Sequence, residues 1–314
     1  MNSYLSTFNY EFLTMNYELL YVVWNPPIKL GFVRYYALLW IVGLVIAYFV
    51  VQKLYKEQKI KDSVFEPLFI YCFLGILIGS RVGHCLIYES SYYLSSFPRF
   101  VEMLLPVKFM GEGFSGAKLT GYAGLASHGG TLGLIIALLL YCRKYKISVL
   151  RVLDTIAIAT PTTCCAIRLG NLMNSEIIGV PTGSDWGFIF SQVDNLPRHP
   201  SQLYEAIAYL LLFFIGWWIY RRQPQKVGTG FYFGFCLACI FIFRMFVEFT
   251  KGGNFRLFSN PASVNSDRAQ WFSIPYALVG VAFLIYSYVH KPKPENPAIF
   301  KTAKELAQEQ KGKK

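Results

Sequence analysis

Charge is what this chain has least of. Asp, Glu, Lys and Arg make up 15% of its 314 residues, where soluble domains carry about 25%. Hydrophobic residues fill 54% of the chain, and mean hydropathy is +0.37. This balance excludes an ordinary soluble domain and indicates an integral membrane protein. The predicted loops lack cysteine, so an extracellular disulfide framework is not expected. All seven cysteines lie in or at the edge of apolar runs. Cys236 and Cys239 have C-x-x-C spacing, but with no second ligand pair nearby they read as small buried hydrophobes rather than a metal or redox site. The first 18 residues lack a basic segment followed by an apolar core and a small-residue cleavage site, so no cleavable signal peptide is expected. There is no solenoid repeat, and only the Lys-rich tail is of low complexity. The apolar runs do not alternate, which excludes the strands of a closed barrel.

What is present is a set of long apolar runs. A bilayer-spanning helix needs about 20 mostly apolar residues. Seven runs qualify, at about 33–52, 66–88, 127–142, 152–170, 203–220, 229–249 and 272–290. The third is short and opens on Gly129-Gly130, which suggests a start part-way into the membrane or a re-entrant element before it. Of the lysines and arginines, 18 fall in the 1–2, 3–4 and 5–6 loops and the tail, nine fall on the other side, and three lie inside spans. The positive-inside rule then places the N-terminus outside and the C-terminus in the cytoplasm. The expected fold is an all-α integral membrane protein of seven transmembrane helices. An N-terminal arm (1–32) precedes a transmembrane catalytic domain (33–290), and a basic cytoplasmic tail (291–314) follows. The outward loops, about 89–126, 171–202 and 250–271, are long and irregular, so function is expected on that side. The net charge of +12 is mostly the inside bias, with attraction to anionic headgroups, and nothing reads as nucleic-acid binding.

Ionisable residues within spans are functional suspects. Arg168 and Asn171 share a helix face at i,i+3, close to Asn174 and Glu176, where the helix should end. A snorkelling arginine is the plain alternative, but the amides favour a polar binding face. Arg244 and Glu248 are i,i+4 on the sixth span, either as a structural pair or with Arg244 presenting donors to a phosphate. Arg81 and His84 on the second span read equally as structural. His128 precedes Gly129-Gly130 at the start of the third span. A helix N-terminus disfavours added positive charge, which suits a general base, and the glycine N–H groups could face an anion. In "LPRHPSQLYE" (residues 196–205), Arg198 and His199 precede the fifth span, Ser201 is a plausible N-cap, and Tyr204 and Glu205 occupy the first turn. Glu205 could simply favour the helix N-terminus. Tyr36 lies at the outer end of the first span, where interfacial aromatics are expected.

These blocks resemble the prolipoprotein diacylglyceryl transferase family. Its signature, G-R-x-G-N-F-x-N-x-E, stands here as "IRLGNLMNSE", matching at Arg168, Gly170, Asn171, Asn174 and Glu176. Ile167 and Leu172 depart from the usual Gly and Phe, at packing positions. "SHGG" at His128, "PRHPSQLYE", "FRMFVEF", "SIPYALVG" and "RYYALLWIVG" match in order from about residue 34 to 280.

The resemblance implies an enzyme of the bacterial inner membrane with its site toward the periplasm. It would move the diacylglyceryl group of phosphatidylglycerol to the lipobox cysteine of prolipoprotein signal peptides, form a thioether and release glycerol phosphate. The thiolate is the nucleophile, and His128 is the candidate base. Arg168 and Arg244 would stabilise the leaving phosphate, with Tyr36 as a hydrogen-bond donor. Asn171, Gly129 and Gly170 would help bind phosphatidylglycerol. Glu248 would position Arg244, and Glu176 would hold the outward loop or Arg168. Asn174, Arg81, Arg198, Tyr204 and Glu205 would support the site. No His/carboxylate cluster has metal spacing, so neither metal nor cofactor is expected. A lipid transporter or scramblase binding anionic headgroups also fits intramembrane arginines and broken helices, although no inverted repeat is seen. A partner-binding membrane subunit is a further alternative, but it would not need Arg168, His128 and Arg244 at similar depth.

Overall fold

Apolar segments in lipid must satisfy their backbone groups internally, and helices do this. The computed structural model describes residues 21–27, 29–30, 33–105, 107–110, 114, 116–119, 124–251, 267–292 and 295–311. Its helices are α1 (Tyr35–Glu57), α2 (Asp62–Ile87), α3 (Ser90–Tyr93), α4 (Phe97–Leu104), α5 (Ser127–Tyr145), α6 (Val149–Met173), α7 (Ser201–Arg222), α8 (Phe231–Glu248), α9 (Asp267–Val289) and α10 (Ala303–Lys311). The strands are β1 (Tyr21–Trp24), β2 (Lys29–Leu30), β3 (Val33–Arg34), β4 (Val107–Phe109), β5 (Ala117–Leu119), β6 (Gly187–Phe190) and β7 (Pro197–Arg198). Five helices (α1, α2, α6, α7 and α8) are long and apolar enough to cross a bilayer, and α9 carries a shorter apolar stretch, Ser273–Val289. Each expected run thus coincides with a helix. α5 is unbroken from Ser127 to Tyr145; most of the segment just before it, and of the expected 1–32 arm and 250–271 loop, lies outside the described residues.

The chain divides into two compact units. The first comprises Met1–Lys53 and Leu150–Lys293. Here α1 meets α6 where a Cβ on Gly43 would stand 2.7 Å from the Ala166 Cβ and one on Gly170 would stand 2.9 Å from the Tyr36 ring. α8 and α9 approach as closely at Gly234 and Gly280. β1 pairs parallel with β6, which pairs antiparallel with β7. Trp24 Nε1 donates to the Leu172 carbonyl at 2.9 Å, and Leu172 is buried with Trp24 and Phe190. The leucine at the family's usual phenylalanine position therefore fills that cluster, while Gly170 provides the close helix approach. Cys164, Cys165, Cys236 and Cys239 belong to one apolar cluster, as hydrophobes.

At the other end of α6, Asp154 is fully buried. It accepts from the N–H groups of Gly228 (2.8 Å), Gly230 (2.9 Å) and Phe233 (2.9 Å). These belong to the turn before α8 and its first turn, whose donors have no partners within the helix. Gly228 and Gly230 have φ of +95° and +88°, the left-handed region that glycine permits.

The second unit comprises Leu54–Val149 and Pro294–Lys314. Gly75, Gly79 and Gly83 on α2 face Gly129 and Gly133 on α5. A Cβ on Gly133 would stand 2.1 Å from the Gly75 carbonyl oxygen. Such spacing brings membrane helices into backbone contact. The tail is strapped down: the Lys61 N–H donates to Ile299 O (2.9 Å), the Lys301 N–H to Lys59 O (2.7 Å), and Lys301 Nζ reaches Asp62 at 2.9 Å. What reads as a basic tail in the sequence is, at Pro297–Lys301, an ordered part of this unit.

Candidate functional site

Within the first unit, the polar residues of three helices converge. α6 ends on the signature, with Arg168 one turn before its last residues and Gly170 against Tyr36. Arg168 Nε lies 2.8 Å from Glu205 Oε2, with side-chain exposures of 12% and 0%. Arg168 Nη1 donates to Asn171 Oδ1 at 3.2 Å. Lys251, just beyond α8, reaches the same Glu205 oxygen at 3.4 Å and Glu248 at 3.6 Å. Tyr209, one turn along α7, donates to Glu205 Oε1 at 3.4 Å. Both oxygens of Glu205 are thus engaged. Its role is a buried counter-charge to two cations, rather than a helix N-terminal preference.

Several expected pairings differ. Arg244 does not pair with Glu248, whose carboxylate goes to Lys251. Among the described residues Arg244 has no carboxylate partner; its guanidinium lies 5.8 Å from the Phe241 ring centre. It still belongs to the same neighbourhood, because Phe241 and Phe243 beside it pack against the cluster that contains Tyr209 and Cys164. Glu176 does not hold Arg168. It accepts instead from Asn171 Nδ2 (3.4 Å) and Asn174 Nδ2 (3.1 Å). Among the described residues Arg168 and Glu176 are linked through Asn171, whose amide oxygen accepts from Arg168 and whose amide nitrogen donates to Glu176. The turn is strained, with Ser175 and Ile177 at φ of +53° and +57°; positive φ at a β-branched residue is a true outlier.

"PRHPSQLYE" splits in function. Ser201 is the first residue of α7, not its cap; its hydroxyl lies 2.7 Å from that of Thr250. Gln202 Nε2 donates to Glu176 O at 2.5 Å, tying α7 to the end of the signature. Tyr204 lies 3.3 Å from His199 Nδ1. Arg198 forks onto Asp194 and donates to Gly179 O at 3.1 Å. Arg198 clamps this loop, and among the described residues its polar contacts are with Asp194 and Gly179. Beside Arg198, the Asp194 carboxyl is held below its usual range.

The second unit carries His128 and Arg81. His128 is exposed in the first turn of α5. The glycines after it do not both offer amides to an anion. The Gly130 N–H donates to Ala126 O at 3.0 Å, and Gly129 is buried, where a Cβ would stand 2.2 Å from Gly79 O. Packing accounts for Gly129. Arg81 is buried and donates to Tyr93 Oη (2.9 Å) and Glu102 O (3.2 Å), so it braces the α3–α4 segment.

Sequence reasoning missed three polar residues. Lys251 falls in the expected outward loop at about 250–271, though it lies i+3 from Glu248. Tyr209 lies i+4 from Glu205 within an aromatic-rich run. Asp154 is an acid inside an expected span, a signal by the rule applied to the arginines.

Comparison with known proteins agrees with these blocks. A family profile described as prolipoprotein diacylglyceryl transferase matches residues 27–286. A phosphatidylglycerol–prolipoprotein diacylglyceryl transferase from Bacteroides fragilis is 53% identical over 277 residues, 87% of this chain and 97% of the relative. Proteins of the same name from Tolumonas auensis and Porphyromonas gingivalis are each 35% identical, covering 86% and 87% of this chain and 99% and 94% of theirs.

Proposed function

The chain belongs to the prolipoprotein diacylglyceryl transferase family, and from that premise we propose how its residues carry out the transfer. It is a transferase of lipoprotein maturation, moving a diacylglyceryl group from phosphatidylglycerol to a prolipoprotein. Family membership sets aside the transporter and partner-subunit readings.

The acceptor is the thiol of a lipobox cysteine in the prolipoprotein signal peptide. Its thiolate attacks the glyceryl carbon that carries the phosphate. A carbon–sulfur bond forms and the carbon–oxygen bond breaks, so glycerol phosphate leaves with the electron pair. The thiol proton goes to a base, for which His128 is the candidate on its sequence block and exposed position. No step needs a metal or cofactor.

The observation that carries the anion-binding part is the asymmetry of the two arginines. Arg168 is fixed by Glu205 and Asn171 through its Nε and Nη1. Arg244 has no carboxylate partner among the described residues. Positive charge is therefore available at Arg244, while Arg168 supplies donors in a preset direction. Donors fixed before the reaction stabilise developing charge without reorganising, each worth about 3 kcal/mol. Arg244 is assigned the larger share of the phosphate charge. Tyr36, whose ring lies against Gly170, is assigned as a donor to a phosphate or ester oxygen.

The setting is a bacterial inner membrane, with seven spans over 33–290, the N-terminus outside and the site toward the periplasm. The lysine and arginine distribution supports this orientation.

The test is transfer in vitro, with phosphatidylglycerol labelled in its glyceryl moiety and a lipobox peptide. Wild type should yield a labelled, base-stable thioether peptide. Arg244→Ala should abolish the product, and His128→Ala should lower it. Full transfer by folded Arg244→Ala would remove the phosphate assignment, and full transfer by His128→Ala would move the base elsewhere.

A further inference from the structure

The segment between α2 and α5 has an inside-out distribution of side chains. α4 begins at Phe97-Pro98 and carries Phe97, Phe100 and Leu104 on one face, at i, i+3 and i+7. These point outward: Phe97 is 69% exposed and Leu104 47%. Leu94 and Met110 are exposed beside them. The polar groups turn inward instead. Glu102 is 2% exposed and accepts from Tyr92 Oη at 3.0 Å and from the Phe109 N–H at 2.6 Å. Arg99 Nη1 joins it at 2.5 Å. A segment standing in water would show the reverse pattern, and exposed apolar surface of this extent marks an interaction face.

The depth of the segment is set by Arg81. The exposed apolar face of α2 begins at Phe69 and Ile70. A hydrocarbon core of about 30 Å takes about 20 helical residues, which from Phe69 ends near Glu89. Arg81 lies about three turns above Phe69, or about 18 Å, and so about 12 Å below that outer edge. Its guanidinium is bonded to Tyr93 and to the Glu102 backbone. The α3–α4 segment is therefore held beside the outer half of α2, not above it. Ile87, five turns along α2 from Phe69 and on the same face, is exposed, and so are Leu94 and Phe97 in the segment that follows.

We propose that α4 is an interfacial helix, with Phe97, Phe100 and Leu104 seated among the lipids of the outer leaflet and its Glu102–Arg99 network turned away from them. Its occupant is the headgroup–acyl boundary of the bilayer. The inference rests on the membrane-spanning reading of α2.

The test uses the full chain in phosphatidylethanolamine–phosphatidylglycerol vesicles. A photo-crosslinking amino acid replaces Phe97, Phe100 or Leu104, with Ile78 on α2 as the lipid benchmark and exposed Gln308 as the water benchmark. Adducts are identified by mass spectrometry, with and without a lipobox peptide. The expected result is lipid adducts at all three positions in the yield seen at Ile78, unchanged by peptide. Lipid adducts at Ile78 with none on α4 would place the helix in water and overturn the proposal. Replacement of lipid adducts by peptide adducts would make the face a signal-peptide surface and also overturn it. No lipid adduct at Ile78 would instead sink the spanning reading of α2, and the inference with it.

Discussion

Glu205 is fully buried, and its Oε2 lies 2.8 Å from Arg168 Nε, joining α7 to the end of α6. Lys251 Nζ approaches the same oxygen at 3.4 Å. One carboxylate thus fixes two cations contributed by separate parts of the chain. Such a group orients a site more than it stabilises a fold, because burying its charge offsets most of the attraction.

Removing one partner of this pair leaves the other charge buried and alone. Glu205→Ala is expected to lower stability by about 3–5 kcal/mol and to abolish transfer. In Arg168→Ala/Glu205→Ala the uncompensated charge is gone, so much of the stability should return while transfer stays lost. The measurement is a double-mutant cycle on thermal unfolding in detergent, with product formation in parallel. Additive losses would mean that the pair is not coupled.

Lys251 bridges Glu205 and Glu248. Lys251→Ala leaves Glu205 with Arg168 but frees Glu248, adding negative charge beside the proposed phosphate site. Transfer should fall about 100-fold, the scale of losing one anion-stabilising donor. Lys251→Arg, which keeps the charge, should recover most of it. Full activity in Lys251→Ala would take Lys251 out of the site.

The helices were legible because each is a long apolar run, and lipid leaves the backbone few other choices. Arg168, Asn171 and Arg244 were legible because a polar group in such a run is conspicuous. The pairing was not. A helix places Glu248 one turn from Arg244, yet Lys251 takes Glu248, and Arg168 finds its carboxylate 37 residues along the chain rather than in Glu176 nearby. Periodicity reports which residues share a face; only packing of α6 against α7 decides which faces meet. The α3–α4 segment was read as an outer loop because a hydropathy window cannot register an eight-residue helix with one apolar face.

The loop between α6 and α7 predicts an acid-dependent stability. The Arg198 guanidinium holds the Asp194 carboxyl below its ordinary value. A carboxyl lowered in the folded state contributes stability that is present above its unfolded value, about 3.9, and lost as pH falls through the lowered folded value. The pair is half-buried at the surface of the loop, so the effect is small and partly screened by salt. Melting of wild type and Asp194→Asn is expected to differ above about pH 4 and to converge on further acidification. Parallel curves at every pH would show that the fork carries no proton-linked stability.

Asp154 separates folding from chemistry in the same helix. It lies on α6 about 21 Å from Arg168 at 1.5 Å per residue, and receives three N–H groups at the start of α8. Asp154→Ala strands those donors in a buried place, at a cost of about 3 kcal/mol or more. Asp154→Asn keeps one acceptor oxygen and should lose less. Neither change touches the cluster around Glu205, so the folded fraction should turn over phosphatidylglycerol at the wild-type rate while the melting temperature drops. The experiment measures active-site-normalised turnover beside thermal unfolding for both variants. A fall in turnover with the melting temperature unchanged would mean that the α8 start is coupled to the reaction. A fall in melting temperature alone would make Asp154 a cap and leave the chemistry to the other end of α6.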